Sequence, residues 1–137
     1  MNLSQSQHRA LVKYCRATPH IFLLYFFGSR SAANFTKNSD YDFAVLFNSK
    51  SRVSLAELHL QLLGNLIAIT DCDDVDLVLL NRCTHSLLKF NVVTTGQAIF
   101  ERRTKGLQGM RLNYELSTMN EYFDFQIHQA RYLESHS

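Results

Sequence analysis

The sequence predicts an α/β fold of the α+β type, in which a small sheet is flanked by helices and followed by a C-terminal helix. Short runs that are apolar or alternate in polarity, as strands do, lie at 21–27, 41–47 and 75–80. Apolar residues at helical spacing lie between these runs and after them. The chain has 137 residues, of which 46% are hydrophobic, so it is long enough for one cored domain and too short for two. We therefore expect a single domain over residues 1–137, with its core at about 21–101.

The first half of the chain contains two predicted helices and two predicted strands. They are a helix from Leu3 to Cys15, a strand from Ile21 to Phe27, a strand from Tyr41 to Phe47, and a helix that begins after Ser54 and ends near Thr70. Ser4 is a possible N-cap of the first helix, and Ser54 and Glu57 form the capping-box pattern of the second. The first strand, IFLLYFF, is apolar on both faces, which indicates a central strand that is covered on both sides.

The second half adds two strands and two helices. They are a strand from Val75 to Leu80, a helix from Leu87 to Thr95 that ends at Gly96, a short strand from Ala98 to Glu101, and a last helix at about 112–134. In the last helix, one apolar stripe contains Leu116, Met119, Phe123, Ala130 and Leu133, and a second contains Tyr122, Phe125 and Tyr132. The aromatic stripe either packs into the core or, as we favour, contacts a partner.

The composition argues against several classes of protein. A net charge of +2 is small for a nucleic-acid-binding protein, which needs many cations along one face. The longest apolar run, Ile21 to Phe27, is far shorter than the roughly 20 residues that span a bilayer, and the polar stretch from Met1 to Arg16 is unlike a signal peptide. Cys15, Cys72 and Cys83 lack the spacing of a disulfide framework or a zinc site and are expected to be reduced thiols. We expect a soluble, cytoplasmic protein that contacts neither a membrane nor nucleic acid directly.

Candidate functional residues surround the junction of the first two strands. Gly28 and Ser29 end the first strand, and Asp40 and Asp42 begin the second. Side chains two apart on a strand point to the same face, so Asp40 and Asp42 place two carboxylates together. Such hard oxygen ligands suit Mg²⁺, which is usually held by one or two carboxylates, water and substrate phosphates. Gly28 would let the backbone approach a phosphate closely, Ser29 would donate its hydroxyl, and a helix start near Arg30 would direct N–H groups at the anion.

A third carboxylate is expected on a neighbouring strand, where it would bind a metal ion and accept the proton of an attacking hydroxyl group. Asp76 is the candidate, because it leads directly into the apolar strand Leu77 to Leu80. Asp71, Asp73 and Asp74 lie in an acidic turn before that strand and are interpreted as solvated. Asp74 lies two residues before Asp76, so its side chain would point to the same face of a strand. It is the alternative candidate for the third carboxylate.

The pattern G-S-x10-D-x-D, followed by an aspartate in the strand VDLVLL, resembles the minimal nucleotidyltransferases of the DNA polymerase beta superfamily. The resemblance spans roughly Ile21 to Glu101, although Ala33 stands where many members have glycine. It implies a nucleotidyltransferase fold with a small mixed sheet, in which ATP is the substrate. By resemblance, Gly28, Ser29 and Arg30 bind the triphosphate, and Asp40, Asp42 and Asp76 hold two Mg²⁺ ions. For Arg30, a surface salt bridge is an equal alternative.

The length of the chain bears on what accepts the nucleotide. Members of this superfamily that modify small molecules or nucleic acids generally carry an added domain for the acceptor, and 137 residues leave almost no room for one. The chain thus resembles the antitoxin half of HEPN/MNT toxin–antitoxin pairs. That resemblance implies transfer of AMP from ATP to a tyrosine hydroxyl of a HEPN ribonuclease toxin, in a hetero-oligomer with the toxin. The alternatives are a non-catalytic antitoxin that neutralises the toxin by binding, and a nucleotidyltransferase for an aminoglycoside-like small molecule.

Four cations follow the last short strand, namely Arg102, Arg103, Lys105 and Arg111. They could bind a nucleotide or an acidic partner. Cations in a connecting loop are more commonly a solvated face, and we adopt that interpretation.

Overall fold

The computed structural model describes residues 2–27, 41–48, 50 and 52–136. In order, these residues form α1 (Gln5–Ala17), β1 (Ile21–Phe26), β2 (Tyr41–Phe47), α2 (Leu55–Thr70), β3 (Val75–Leu79), a 3-10 turn (Leu80–Arg82), α3 (Ser86–Thr95), β4 (Gln97–Glu101) and α4 (Met110–Ser135). Every predicted helix and strand is present in the predicted order. The prediction of an α/β fold with a C-terminal helix is confirmed.

The four described strands form one mixed sheet in the order β3-β2-β1-β4. β1 pairs antiparallel with both β2 and β4, whereas β2 pairs parallel with β3. A parallel pair needs a crossover connection, which α2 provides. β1 is therefore an interior strand, as its unbroken apolar run predicts.

Both faces of the sheet are covered, which explains why β1 is apolar on both sides. Ile21, Leu24 and Phe26 belong to the core that the sheet forms with α1 and α2. Leu23 and Tyr25 belong to a second core, formed with α3 and the start of α4. All five side chains are buried, and each contributes roughly 1.5–3 kcal/mol of hydrophobic stabilisation.

Short polar contacts determine where the helices begin. At α1, Ser4 Oγ accepts a hydrogen bond from the Gln7 N–H at 3.0 Å, and Gln7 Oε1 accepts one from the Ser4 N–H at 2.9 Å. At α2, Ser54 Oγ accepts from the Glu57 N–H at 3.1 Å. Both serines are the predicted N-caps. Each accepts a hydrogen bond from a backbone N–H of the first helical turn, which has no acceptor within the helix.

The beginning of α4 is joined to the sheet by a partly buried hydrogen bond. Tyr25 Oη donates to Glu115 Oε2 at 2.6 Å, and Arg111 Nε donates to the same oxygen at 2.9 Å. Burial, reinforced by the hydrogen bond to Glu115, raises the pKa of Tyr25 well above its ordinary value. Further along, Lys89 Nζ of α3 pairs with Glu121 Oε2 of α4 at 2.9 Å. These contacts hold the first half of α4 against β1 and α3.

Two of the exclusions made from composition can be compared with the structure. Cys15, Cys72 and Cys83 are all free cysteines, as predicted. None of the helices in the described part of the chain is long and apolar enough to cross a membrane.

Candidate active site

Two of the predicted carboxylates lie side by side on adjacent strands. Asp42 is the second residue of β2, Asp76 is the second residue of β3, and the parallel register pairs them directly. Paired residues of parallel strands point to the same face, and the strands lie about 4.8 Å apart. Asp42 is 2% exposed and Asp76 is half-buried. Two carboxylates this close and this shielded from water repel each other, so a shared cation would stabilise the pair.

The pair lies on the face of the sheet that α3 and α4 cover. Side chains alternate along a strand, so Asp42 points to the same side as Ala44, and Asp76 to the same side as Val78. Ala44 and Val78 pack in the core between the sheet, α3 and the start of α4. The carboxylates therefore lie at the end of this core where β2 and β3 begin.

The end of β1 and the end of α3 meet beside Asp42. The Phe27 N–H donates to the carbonyl oxygen of Asp42 at 3.0 Å. Gly96, between α3 and β4, packs closely there: a Cβ at this position would lie 3.3 Å from Phe27 Cβ and 2.3 Å from the carbonyl oxygen of Val92. Close approach, rather than a positive φ, therefore requires glycine at position 96. From sequence, Gly96 marks only the end of a helix.

The acidic turn before β3 is solvated, as predicted. Asp71, Asp73 and Asp74 are exposed. Asp74 contributes its backbone, since its carbonyl oxygen accepts a hydrogen bond from the Tyr41 N–H at 3.2 Å. Asp76 thus lies within β3 opposite Asp42, whereas Asp74 lies before the strand. The choice of Asp76 as the third carboxylate stays a prediction.

The other predicted site residues, Gly28, Ser29, Arg30 and Asp40, lie outside the described residues. Their roles remain predictions. Within the described ranges, no group of three or more His, Cys, Asp or Glu side chains is arranged to hold a metal ion. The described donor set is the pair Asp42 and Asp76, whose hard oxygens fit Mg²⁺ when water and substrate phosphates complete its coordination.

No pattern in the sequence points to His59, yet it contacts the strand that carries Asp76. His59 lies on α2, and its Nε2 is 2.8 Å from the carbonyl oxygen of Leu77 in β3. A carbonyl oxygen can only accept, so the imidazole N–H donates. β3 is an edge strand of the described sheet, so its outer side has no strand partner. The two residues belong to different elements, which is why periodicity gives no signal for this contact.

Arg102 differs from the predicted solvated face. Its guanidinium is half-buried and donates to three backbone carbonyl oxygens, those of Cys15 at 2.6 Å, Thr18 at 2.9 Å and Ile21 at 2.9 Å. These carbonyls belong to the end of α1, the turn after it and the start of β1. Arg102 is therefore a structural cation that joins α1 to the sheet.

The cations that follow Arg102 lie nearer the surface. Arg103 and Arg111 both pair with Glu101, at 2.7 and 3.4 Å. The hydrogen bond from Arg103 is the main cause that holds the pKa of Glu101 below its ordinary value. Arg103 and Lys105 are exposed, as a solvated face requires.

Comparison with known proteins identifies the family of this chain. The chain matches the family described as polymerase beta, nucleotidyltransferase, over residues 9–105. It is 32% identical over 94 residues to the protein adenylyltransferase MntA of Aphanizomenon flos-aquae (strain 2012/KM1/D3). That match covers 61% of this chain and 59% of the relative, so the chain spans about three-fifths of the length of the curated relative it matches.

Solved structures similar to this chain include two toxin–antitoxin complexes. One is a crystal structure of a toxin–antitoxin with AMP-PNP, which matches with a TM-score of 0.66 and 26% identity over 93% of this chain and 96% of the other. The second is a tri-AMPylated Shewanella oneidensis HEPN toxin in complex with an MNT antitoxin, with a TM-score of 0.68 and 25% identity over 97% of this chain and 98% of the other. The family match covers more than half of the sequence and includes both Asp42 and Asp76. The chain therefore belongs to the polymerase beta nucleotidyltransferase family.

Proposed function

We propose that this chain is an antitoxin that transfers AMP from ATP to a tyrosine hydroxyl of a HEPN ribonuclease toxin and thereby neutralises it. Family membership supports nucleotidyl transfer. The similarity to a protein adenylyltransferase, and to complexes that contain AMP-PNP or an AMPylated HEPN toxin, supports ATP and this acceptor. The observation that carries the proposal is the pairing of Asp42 with Asp76, because it supplies the carboxylates that such a transfer needs.

The proposal assigns a role to each candidate residue. Residues 1–137 act as one domain in the cytoplasm, where ATP is available. Gly28, Ser29 and Arg30 would bind the triphosphate, and Asp40, Asp42 and Asp76 would hold the metal ions. Two Mg²⁺ ions bound there would neutralise the triphosphate and the departing pyrophosphate.

Asp42 and Asp76 have different environments, and we assign them different roles. Asp42 is buried and would hold a cation in place, whereas Asp76 is half-buried and accessible to an incoming hydroxyl group. The tyrosine oxygen forms a bond to the α-phosphorus of ATP and gives its proton to the Asp76 carboxylate. The bond from the α-phosphorus to the oxygen that bridges to the β-phosphorus breaks, and pyrophosphate leaves with that electron pair. Positioning and charge neutralisation supply most of the rate.

The test is incubation of the purified chain with Mg²⁺, ATP labelled at the α-phosphate and a HEPN ribonuclease toxin from the same genome. Intact-mass measurement of both proteins should show AMP increments on the toxin. Asp42→Asn should lower the initial rate by more than about 100-fold, because losing a charged metal ligand removes several kcal/mol of charge stabilisation. Asparagine has almost the same shape as aspartate, so the circular dichroism spectrum should not change.

Asp73→Asn is the matched control, because it makes the same substitution on an exposed residue of the acidic turn. It should transfer AMP at the parent rate. Transfer by Asp42→Asn at the parent rate would contradict the site assignment. An unmodified toxin in a tight complex with the parent chain would support the non-catalytic antitoxin. Modification of an aminoglycoside-like compound, with no change in the toxin, would support the small-molecule alternative.

A further inference from the structure

The C-terminal half of α4 is exposed around its whole circumference. Thr118 is buried and Tyr122 is half-buried, but every residue from Phe123 to His136 is exposed. At 1.5 Å per residue, this part of the helix is about 20 Å long. A helix of this length has only marginal stability in water without packing against other elements. Contacts outside this chain are therefore expected to stabilise it.

This exposed segment is rich in large apolar side chains. Of the nine large hydrophobic side chains that are exposed in the described residues, seven lie on α4: Leu112, Leu116, Phe123, Phe125, Ile127, Tyr132 and Leu133. From Phe123 to His136 the residues with a formal charge at pH 7 are Asp124, Arg131 and Glu134, and the segment also contains two histidines, His128 and His136, counted as neutral. Aromatic enrichment and few charges are typical of the centre of a protein–protein interface.

Most of these side chains share one face of the helix. With 3.6 residues per turn, seven positions fall within an arc of roughly 120°. We call this face the α4 stripe; it consists of Leu112, Leu116, Met119, Phe123, Ile127, Ala130 and Leu133. Successive members are three or four residues apart, which is the spacing with which helices pack against each other. The α4 stripe therefore suits a helical segment of a partner.

The contacts of α4 within the chain mainly use other side chains. The Phe90 ring of α3 lies 4.4 Å, centroid to centroid, from Tyr122, which is outside the α4 stripe. Phe123 also approaches Phe90, at 5.7 Å, but remains 48% exposed. Leu112 and Leu116 are exposed although they lie in the half of α4 that packs on the body of the protein. Internal packing thus leaves the α4 stripe accessible along its length.

The position of α4 connects this surface to the candidate active site. Met110 and Tyr114, at the start of α4, pack on the same face of the sheet as Ala44. Asp42 and Asp76 point to that face. A protein bound along α4 would therefore lie on the side of the sheet that presents the carboxylates, where one of its hydroxyl groups could approach them.

We propose that the α4 stripe is the surface on which the HEPN toxin docks, through a helical segment of its own, while its tyrosine is modified. This inference rests on the proposed function. The match to the complex of a HEPN toxin with an MNT antitoxin covers 97% of this chain. Because α4 has 26 residues, a match of this extent must include most of the helix. The helix therefore belongs to the part of the fold that this chain shares with a toxin-bound relative.

The test compares two double variants of the full chain. Ile127→Asp with Leu133→Asp places two charges on the α4 stripe. His128→Asp with Ser135→Asp, the matched control, places two charges on the other side of the same exposed segment. All four positions are exposed, so both variants should retain the parent melting temperature and the parent affinity for AMP-PNP with Mg²⁺.

Isothermal titration calorimetry with the HEPN toxin measures the effect, and light scattering of each chain alone measures its oligomeric state. The stripe variant should bind the toxin at least about 100-fold more weakly, because two apolar contacts become buried charges, whereas the control should bind like the parent. Equal binding by all three chains would overturn the docking surface and leave the proposed transfer standing. A parent chain that does not bind the toxin at all would overturn both. A parent dimer that only the stripe variant converts to a monomer, with toxin binding unchanged, would show that a second copy covers the α4 stripe.

Discussion

His59 on α2 donates a hydrogen bond from Nε2 to the carbonyl oxygen of Leu77, the residue that follows Asp76 in β3, at 2.8 Å. In the described sheet, β3 pairs with β2 on one side only. The hydrogen bond therefore joins α2 to β3, the strand that carries Asp76. A small displacement of β3 would change the separation of Asp76 from Asp42, and with it the fit of a bound cation.

We expect His59→Ala to lower the rate of AMP transfer by about 5-fold, since a lost hydrogen bond is worth about 1 kcal/mol and β3 becomes less well positioned. The informative readout is the Mg²⁺ concentration that gives half the maximal rate, which should rise. His59→Gln can still donate and should restore most of the parent behaviour. Leu60→Ala, at an exposed neighbouring position of α2, is the control. Identical Mg²⁺ dependence in the parent and the alanine variant would rule out a positioning role.

The same substitution at Asp76 and at Asp74 can show which of the two is the third carboxylate. If Asp76 has the proposed role, Asp76→Asn should lower the initial rate of AMP transfer by more than about 100-fold, because it would remove a metal ligand and a proton acceptor next to Asp42. Asp74→Asn should change the rate little, because Asp74 is exposed and contributes its backbone carbonyl to Tyr41. The measurement is transfer of label from ATP to the toxin at saturating Mg²⁺. A large loss in Asp74→Asn, with a normal rate in Asp76→Asn, would reverse the assignment.

Gly96→Ala should destabilise the protein by about 1–3 kcal/mol, since the new Cβ would lie 2.3 Å from the backbone oxygen of Val92 and α3 would have to shift. Gly64→Ala is the matched control: position 64 lies inside α2 with nothing within 4 Å of an added Cβ. That substitution should stabilise the protein by about 0.5–1 kcal/mol, because alanine favours the helix. Urea unfolding measures both changes. Equal effects of the two substitutions would show that close approach does not constrain position 96.

Cys15 should make the stability of the protein depend on alkaline pH. Burial raises the pKa of its thiol from the ordinary value of 9.0 to about 12. Between these values the unfolded chain releases the thiol proton and the folded chain keeps it, so stability falls as pH rises through this window. The slope is at most about 1.4 kcal/mol per pH unit, and the contribution is fully present below pH 9.

The measurement for Cys15 is the difference in free energy of unfolding between the parent and Cys15→Ala, determined under reducing conditions at several pH values from 8 to 11. Subtraction cancels the tyrosines and lysines that also titrate in this range. The stability advantage of the parent should shrink steadily above pH 9. A difference that stays constant over the whole range would contradict the raised pKa of this thiol.

Local patterns predicted the elements well. Ser4 and Ser54 are N-caps in the structure, and α1 and α4 differ from their predicted bounds by about two residues at each end or less. The apolar run of β1 correctly predicted a strand covered on both faces. These predictions succeed because caps, helical periodicity and two-sided burial depend on residues close together in the chain.

The candidate site was only partly predictable. The G-S-x10-D-x-D pattern and the later strand aspartate singled out Asp42 and Asp76, and the parallel register brings those two together. The charge pattern places Arg102 on a solvated face, whereas in the structure its guanidinium donates a hydrogen bond to the Cys15 carbonyl oxygen near the end of α1. Charge spacing in a loop cannot reveal which distant carbonyls lie within reach of a guanidinium.

The sequence by itself determined the fold class and the order of the elements, because both depend on residue types at short and regular spacing. It also named Asp42 and Asp76 as candidate carboxylates, and their role stays a prediction. Only the tertiary structure decided that β3 pairs parallel with β2, that His59 supports β3, and that α4 keeps an apolar face exposed. The physical reason is distance along the chain. Strand pairing, side-chain contacts between elements and burial of a helix face depend on which surfaces meet after folding, and that is decided by the packing of the whole core.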